Sequence, residues 1–587
     1  GGAITQRGAI SGTTLTTTSV GGTTLNNAGN AVTSFNATNT ASGNMALTNS
    51  APMLTITGIS QSGGGSILLQ SAGDMTIGAN VSASTGTITL SADSDASGTG
   101  TLSLGPGAAV TSTNTTPAAI TLQAADINID TSGTPDLVVA DGGGGGVRIF
   151  SSVGSRPMNF GSGTAVAGIN ITQSEVNRIS TPSTGFLTLG ESGVQTGDIT
   201  FKAFGDGTFV GTVIVNQAGS GKIVLDDAGG TAIAVNAGSG NIIATAGTGG
   251  IVAASATNGV AEISTTGSVT WNTTGPIGTS ANRIEFASTP PGSIVISQTN
   301  APAGDGVFLK GLGALTLGAV TVNDVPVDVA TVSSLTVSGT IASGRGNVTL
   351  AAGGTLSESG GGLINTTASL TTSSVGGTVL HGANTVSSFN ATNMTSGDIS
   401  LTNTANPLTI TGISQTGGGT FTITNTGDIT NSGTISGAGT INLGAGLFTN
   451  NGIVSPGVAS GDKTGTLSIT GNYTQGASGR YIAELVGTAP GAFDVLAVTG
   501  SATLGGTLEY RTLGAYAPAV NDSFKIITCG STCSGSFASV LQPLSADLTT
   551  NVMLGPPGNV TGTVATAYTL KQWVGTRGDW SVGANWT

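Results

Sequence analysis

The stretch Leu54-Thr55-Ile56-Thr57-Gly58-Ile59-Ser60-Gln61 returns residue for residue as Leu408-Thr409-Ile410-Thr411-Gly412-Ile413-Ser414-Gln415. Apolar and polar residues alternate through most of it, the period of a strand with one buried and one wet face. The match extends outward in both directions. Upstream, Ser19-Val20-Gly21-Gly22-Thr23 matches Ser374-Val375-Gly376-Gly377-Thr378, and Leu25 matches Leu380. After a one-residue slip, Phe35-Asn36-Ala37-Thr38-Asn39 matches Phe389-Asn390-Ala391-Thr392-Asn393, and downstream Gly63-Gly64-Gly65 matches Gly417-Gly418-Gly419. A block of roughly 50 residues, 19–67 and 374–421, is therefore present twice, as expected where each structural repeat touches only its neighbours and whole repeats are copied without breaking the stack.

Short alternating strands behind Gly or Asp run through the rest of the chain: Gly86-Thr87-Ile88-Thr89-Leu90, Gly197-Asp198-Ile199-Thr200-Phe201, Gly346-Asn347-Val348-Thr349-Leu350 and Gly439-Thr440-Ile441-Asn442-Leu443. Segments this short, recurring at intervals of about 20 residues, bury a face only by stacking. The expectation is an all-β chain, a right-handed parallel β-helix (β-solenoid) drawn out as an elongated rod of about 29 coils and about 140 Å. A sandwich or barrel also uses short alternating strands, but 587 residues would need several of them and no Pro-rich or charged linker divides the chain.

Composition narrows the function classes. Only 7% of residues are charged while 37% are hydrophobic, the reverse of a disordered chain. No apolar run approaches the roughly 18 residues of a membrane helix, so this segment is not expected to span a bilayer. The net charge of -13 comes with no basic patch for nucleic acid. The chain opens at Gly1 without an initiator Met and stops at Thr587 inside an apparent motif, which reads as a piece of a longer protein.

Three regions are expected: residues 1–438 as β-solenoid carrying the duplicated block, 439–566 as terminal coils richer in Tyr, Phe and ionisable residues, and 567–587 as the start of a further module that holds three of the four Trp. The opening Gly1-Gly2-Ala3-Ile4-Thr5-Gln6, the Ser-Val-Gly-Gly step, Phe-Asn-Ala and Leu-Thr-Ile-Thr-Gly-Ile-Ser-Gln resemble repeats of filamentous-haemagglutinin-like, two-partner-secreted exoproteins. Gly471-Asn472-Tyr473-Thr474-Gln475, the stretch Val498-Thr499-Gly500-Ser501-Ala502-Thr503-Leu504-Gly505-Gly506-Thr507-Leu508 and Asp522-Ser523-Phe524-Lys525-Ile526-Ile527 look like the end of autotransporter-type passengers. The resemblance implies export across an outer membrane with an outer-membrane partner, an extracellular or cell-surface location, and attachment, aggregation or biofilm formation through a host or bacterial surface receptor or glycan. Its motifs are structural and transfer no binding residue. A non-binding spacer or extracellular matrix fibre is the alternative, and a carbohydrate-active β-helix enzyme a more distant one.

No catalytic, cofactor-binding or metal-ligating residue is assigned, and the chain is not expected to be an enzyme. Asp226-Asp227 is the only Asp pair and His381 the only histidine; strand neighbours point to opposite faces unless a turn intervenes, so the pair does not make the facing carboxylates of a glycosidase. Asp93-Ser94-Asp95-Ala96-Ser97-Gly98 has the opening of a calcium loop without its bidentate Glu. Gly142 to Gly146 is a loop, since no Lys-Ser/Thr follows as in a phosphate cradle. Asn36, Asn170, Asn347, Asn390, Asn393 and Asn472 open Asn-x-Thr sequons, and stacked amide ladders are the expected use of such residues. Arg148 to Pro157 and Glu175 to Arg178 are candidate protruding loops. Cys529 and Cys533 are the disulfide candidate: about 13 Å apart on an extended strand, they pair only if Gly530-Ser531-Thr532 turns.

Overall fold

The computed structural model describes residues 2–133, 137–205, 211–299, 305–457, 463–542, 548–555 and 558–566; the expected module at 567–587 lies outside them. Short strands follow one another along the chain, and one four-residue helix, Gln173–Val176, stands among the described residues. Two compact units are present, Gly1–Asn347 and Val348–Thr587.

In the first unit the strands pair in parallel, most of them with a strand one coil away. One register column runs Thr23, Met45, Ile67, Ile88, Ile120, Val147 and Leu187. It continues through Val213, Ile242, Val269, Ile294 and Leu317. Parallel neighbours require the chain to return to the same side before pairing again, and unbroken recurrence of that return is a fold of the β-helix type. Every side chain in the column is buried, and each aliphatic one contributes roughly 1.5–3 kcal/mol by leaving water.

The second unit repeats the plan, with a column of Thr378, Ile399, Phe421, Gly439, Leu467, Leu496 and Ile527. Gly439 admits the large ring below it: a Cβ there would lie 2.7 Å from Cγ of Phe421. Three buried tyrosines fill the later coils, and Tyr481 donates at 2.9 Å to the Ile526 carbonyl.

Residues 439–566 do not stay parallel to the end. The strand Asn559–Thr566 runs antiparallel to both Ser523–Cys529 and Leu548–Gly555. Antiparallel pairing needs no crossover connection, and the added strands cover an edge that would otherwise present unpaired backbone groups. Val560 and Val564 are buried there with Phe524 and Ile527.

The segments expected to protrude are tied down. Arg148 lies in the strand Gly146–Ser151, ion-paired with Glu191 and 5.0 Å from the centre of the Phe150 ring. Glu175 forms a capping box with Thr172 and also accepts the Ile129 backbone N–H at 2.9 Å, which pins the short helix to its neighbouring coil. Both Glu175 and Arg178 are buried.

Candidate functional site

The duplicated block builds the same surface twice. In the first copy the polar face of the strand Ala31–Asn39 stacks on that of Met53–Gln61, and the corner between their two halves lengthens coil by coil. Only Asn36 separates the core residues Phe35 and Ala37; Thr57 and Gly58 separate Ile56 and Ile59; Gly78, Ala79 and Asn80 separate Ile77 and Val81. The second copy follows the same progression. Asn390 lies between Phe389 and Ala391, Thr411 and Gly412 lie between Ile410 and Ile413, and Ser432, Gly433 and Thr434 lie between Asn431 and Ile435.

Each added residue pushes the corner outward by a step, as a bulge does, and leaves a groove beside it. The groove in the first copy has a volume of about 560 Å³ and is lined by Asn36, Thr38, Gly58, Ser60, Asn80 and Ser82 among others. Its counterpart of about 460 Å³ is lined by Asn390, Thr392, Gly412, Ser414, Thr434 and Ser436 among others. Neither lining contains an ionisable or aromatic side chain.

The corners are held alike. The Thr57 hydroxyl donates to the Phe35 carbonyl at 3.3 Å and the Thr411 hydroxyl to the Phe389 carbonyl at 3.2 Å. A Cβ at Gly58 would come to 3.1 Å of Asn36 Nδ2, and one at Gly412 to 2.8 Å of Asn390 Nδ2. Glycine therefore keeps the asparagine amide against the corner in both copies; at Gly58, φ of +136° adds a backbone reason. Asn36 Nδ2 donates at 3.0 Å to the Thr57 carbonyl.

The carboxylates singled out in the sequence are engaged elsewhere. Asp226 ends the strand Ile223–Asp226 and pairs with Lys202 at 3.0 Å. Asp227 begins a turn and is buried, accepting from Ser255 Oγ at 2.6 Å, Gly229 N–H at 3.1 Å and Asn258 Nδ2. His381 is exposed in the second unit, 2.7 Å from Ser400 Oγ. Asp93 is also buried. Burial pushes its pKa up, but hydrogen bonds from Ser152, Ser97, Gly98 and Thr99 outweigh this and hold it below the usual carboxylate value. Its oxygens are thus taken up by its own loop and by Ser152, and no group of three or more His, Cys, Asp or Glu placed to hold a metal occurs among the described residues.

Sequence reading missed the acids that stacking brings together. Glu262 sits one residue before Ile263, which registers with Phe286; Glu285 registers with Lys310 in the following coil. Glu262 and Glu285 are buried, Glu262 Oε2 accepts the Glu285 N–H at 2.6 Å, and Glu285 pairs with Lys310 at 2.8 Å. Asn258 and Gly259 give Glu285 their backbone N–H groups, and the Asn258 side chain reaches Asp227. Burial, followed by the charges of Asp227 and Glu285, raises the Glu262 pKa to about 8 despite backbone donors. Asp494 in the second unit is raised to about 8 by burial, with Glu484 adding to it. No motif marks these residues, because their separations along the chain equal coil lengths that vary.

Cys529 and Cys533 form a disulfide, with Cα atoms 5.8 Å apart across the turn Gly530-Ser531-Thr532. Amide ladders run through residues other than the sequon asparagines for which they were expected: Asn39 Nδ2 donates to Gln61 Oε1 at 2.9 Å, Asn403 Nδ2 to Asn425 Oδ1 at 3.0 Å, and Asn431 Nδ2 to Asn450 Oδ1 at 2.8 Å. Of the sequon asparagines, Asn393 is buried, whereas Asn36 and Asn390 border the two grooves.

No protein-family profile and no curated protein matches the sequence. Among solved structures, the Haemophilus influenzae Hap adhesin is similar at 12% identity with a TM-score of 0.29, over 91% of this chain and 64% of that one. The β-helix type fold rests on the strand pairings described above. No helix among the described residues is long and apolar enough to cross a membrane.

Proposed function

We propose that this chain is a segment of an exported surface adhesin whose right-handed β-solenoid core carries binding surfaces on its side faces. The observation that carries the reading is the paired groove: the polar outer face of a coil keeps the same residues at its first two steps, Asn36, Thr38, Gly58 and Ser60 in one copy of the block and Asn390, Thr392, Gly412 and Ser414 in the other. Right-handed winding agrees with the strong preference of parallel crossover connections. The Cys529–Cys533 disulfide accords with an oxidising, extracellular location. An outer-membrane partner for export and a receptor or glycan on a host or bacterial surface complete the proposal.

Asp226 is paired with Lys202 and Asp227 is taken up by Ser255, Gly229 and Asn258, and the reading assigns no catalytic role. Beads coated with the purified chain should adhere to epithelial or bacterial cells saturably, and free chain should compete them off. A spacer or matrix fibre would coat the beads equally well and leave them unattached, which would sink the adhesin reading.

A further inference from the structure

We propose that the two grooves built on the duplicated block are corresponding binding sites for a neutral oligosaccharide. The inference rests on the adhesin reading and gives it a place and a ligand chemistry. Three observations on each groove select the ligand. The lining has no ionisable side chain, so neither an anionic polymer nor a basic peptide finds a counter-charge. The apolar residues beneath, Ile59 and Ile413, point into the core and are buried, so an amphipathic helix finds no greasy face. The strands Ala31–Asn39 and Thr378–Asn393 already have parallel partners on both sides, so an extended peptide cannot join the sheet as an added strand at this point.

What the groove offers is a set of amides and hydroxyls that both donate and accept: Asn36, Thr38 and Ser60 in one copy, Asn390, Thr392 and Ser414 in the other. Sugar hydroxyls, which also do both, are the matching chemistry. At about 560 and about 460 Å³ both are open depressions, suited to a chain lying along the surface rather than to an enclosed small molecule. The corner grows from one residue to two to three over successive coils, so the surface beside it is stepped, and a chain of rings can lie across it. The steps formed by Asn36 and Thr57-Gly58 have identical counterparts in the second copy. The third differs, Gly78-Ala79-Asn80 against Ser432-Gly433-Thr434, so the two sites share a ligand class while differing in affinity. Without an aromatic platform each site is weak, and repetition of the site is the means of raising the strength of attachment.

The test is fluorescence anisotropy of labelled maltohexaose, cellohexaose and N-acetylchitohexaose against the full chain, with a heparin hexasaccharide as the charged comparison. The expected result is binding of at least one neutral hexasaccharide at two sites per chain, little changed by salt. Thr38→Glu should leave one site, and Thr38→Glu with Thr392→Glu should leave none. Ser60→Glu with Ser414→Glu repeats the test at exposed or half-exposed positions should the first pair fail to fold, and hydrogen exchange checks that each variant keeps its coils. Binding of none of the three neutral probes, binding of heparin alone, or full binding by both double variants would overturn the proposal. Beads that adhere to cells while the chain takes no neutral hexasaccharide would remove the groove assignment and leave the adhesin reading. Two-site binding without cell adherence would do the reverse.

Discussion

The two copies of the duplicated block share their residues at one ladder and part at its next rung. In the first copy Asn30 accepts the Ile10 N–H at 2.9 Å and Asn49 accepts the Val32 N–H at 2.8 Å. In the second, Asn384 accepts the Ile364 N–H at 2.7 Å and Asn403 accepts the Val386 N–H at 2.8 Å. The coil above then differs. Asn403 stacks on Asn425 and donates to it, but Asn49 stacks on Ser71, whose shorter side chain leaves Asn49 Nδ2 buried without a partner. A residue's satisfaction in this fold is thus set by the coil it meets as well as by its own sequence, which is the physical meaning of nearest-neighbour stability in a solenoid.

The comparison can be broken or sharpened by substitution. Phe35 and Phe389 occupy the same core position with almost no exposure. Phe35→Ala and Phe389→Ala should each cost about 3–5 kcal/mol, equally in the two copies, read as faster hydrogen exchange of the affected coil's amides; a marked inequality would show that the cores are not equivalent. Asn425→Ser rebuilds the first copy's arrangement in the second. It should cost about 1–3 kcal/mol by removing bonds to the Ala405, Gly427 and Asp428 carbonyls as well as the rung to Asn403.

A third measurement sets the amide-laddered copies against the acid-bearing coils between residues 227 and 310. The Glu262 pKa lies above its ordinary value, at about 8, so between about pH 4.5 and pH 8 the folded state holds a proton that the unfolded state has released. Stability is therefore expected to fall as pH rises through this window, with a slope on the order of 1 kcal/mol per pH unit from this group. Hydrogen exchange compared between pH 5 and pH 8, after correction for the intrinsic rate, should show loosening at residues 254–264. Glu262→Gln should flatten that response, while the coils of residues 31–61 stay unchanged. An unaltered response in Glu262→Gln would locate the pH dependence elsewhere. The smallest effect is a gain: Ser71→Asn supplies the missing rung above Asn49, with Gly73 and Asp74 placed like Gly427 and Asp428 in the other copy. It should stabilise the first copy by about 1 kcal/mol, and a loss instead would mean that the interior there is too tightly packed for the larger side chain.

Alternation, glycine spacing and the internal copy were sufficient to determine an all-β, coil-stacked chain, because period-2 strands too short to bury themselves have stacking as their solution. The sequence offered Cys529 and Cys533 as a pair on the condition that Gly530-Ser531-Thr532 turns, and the turn itself is a finding of the tertiary structure. The sequence alone did not determine which residues meet across coils. Glu262, Glu285 and Lys310 are 23 and 25 residues apart in sequence yet stand in adjoining coils, and the Asn36 amide lies against Gly58 where the corner lengthens by one residue from one coil to the next. Coil lengths vary from turn to turn, so the register between coils is fixed by the packing of their inner side chains. The grooves and the buried acids follow from that register, which local pattern does not encode.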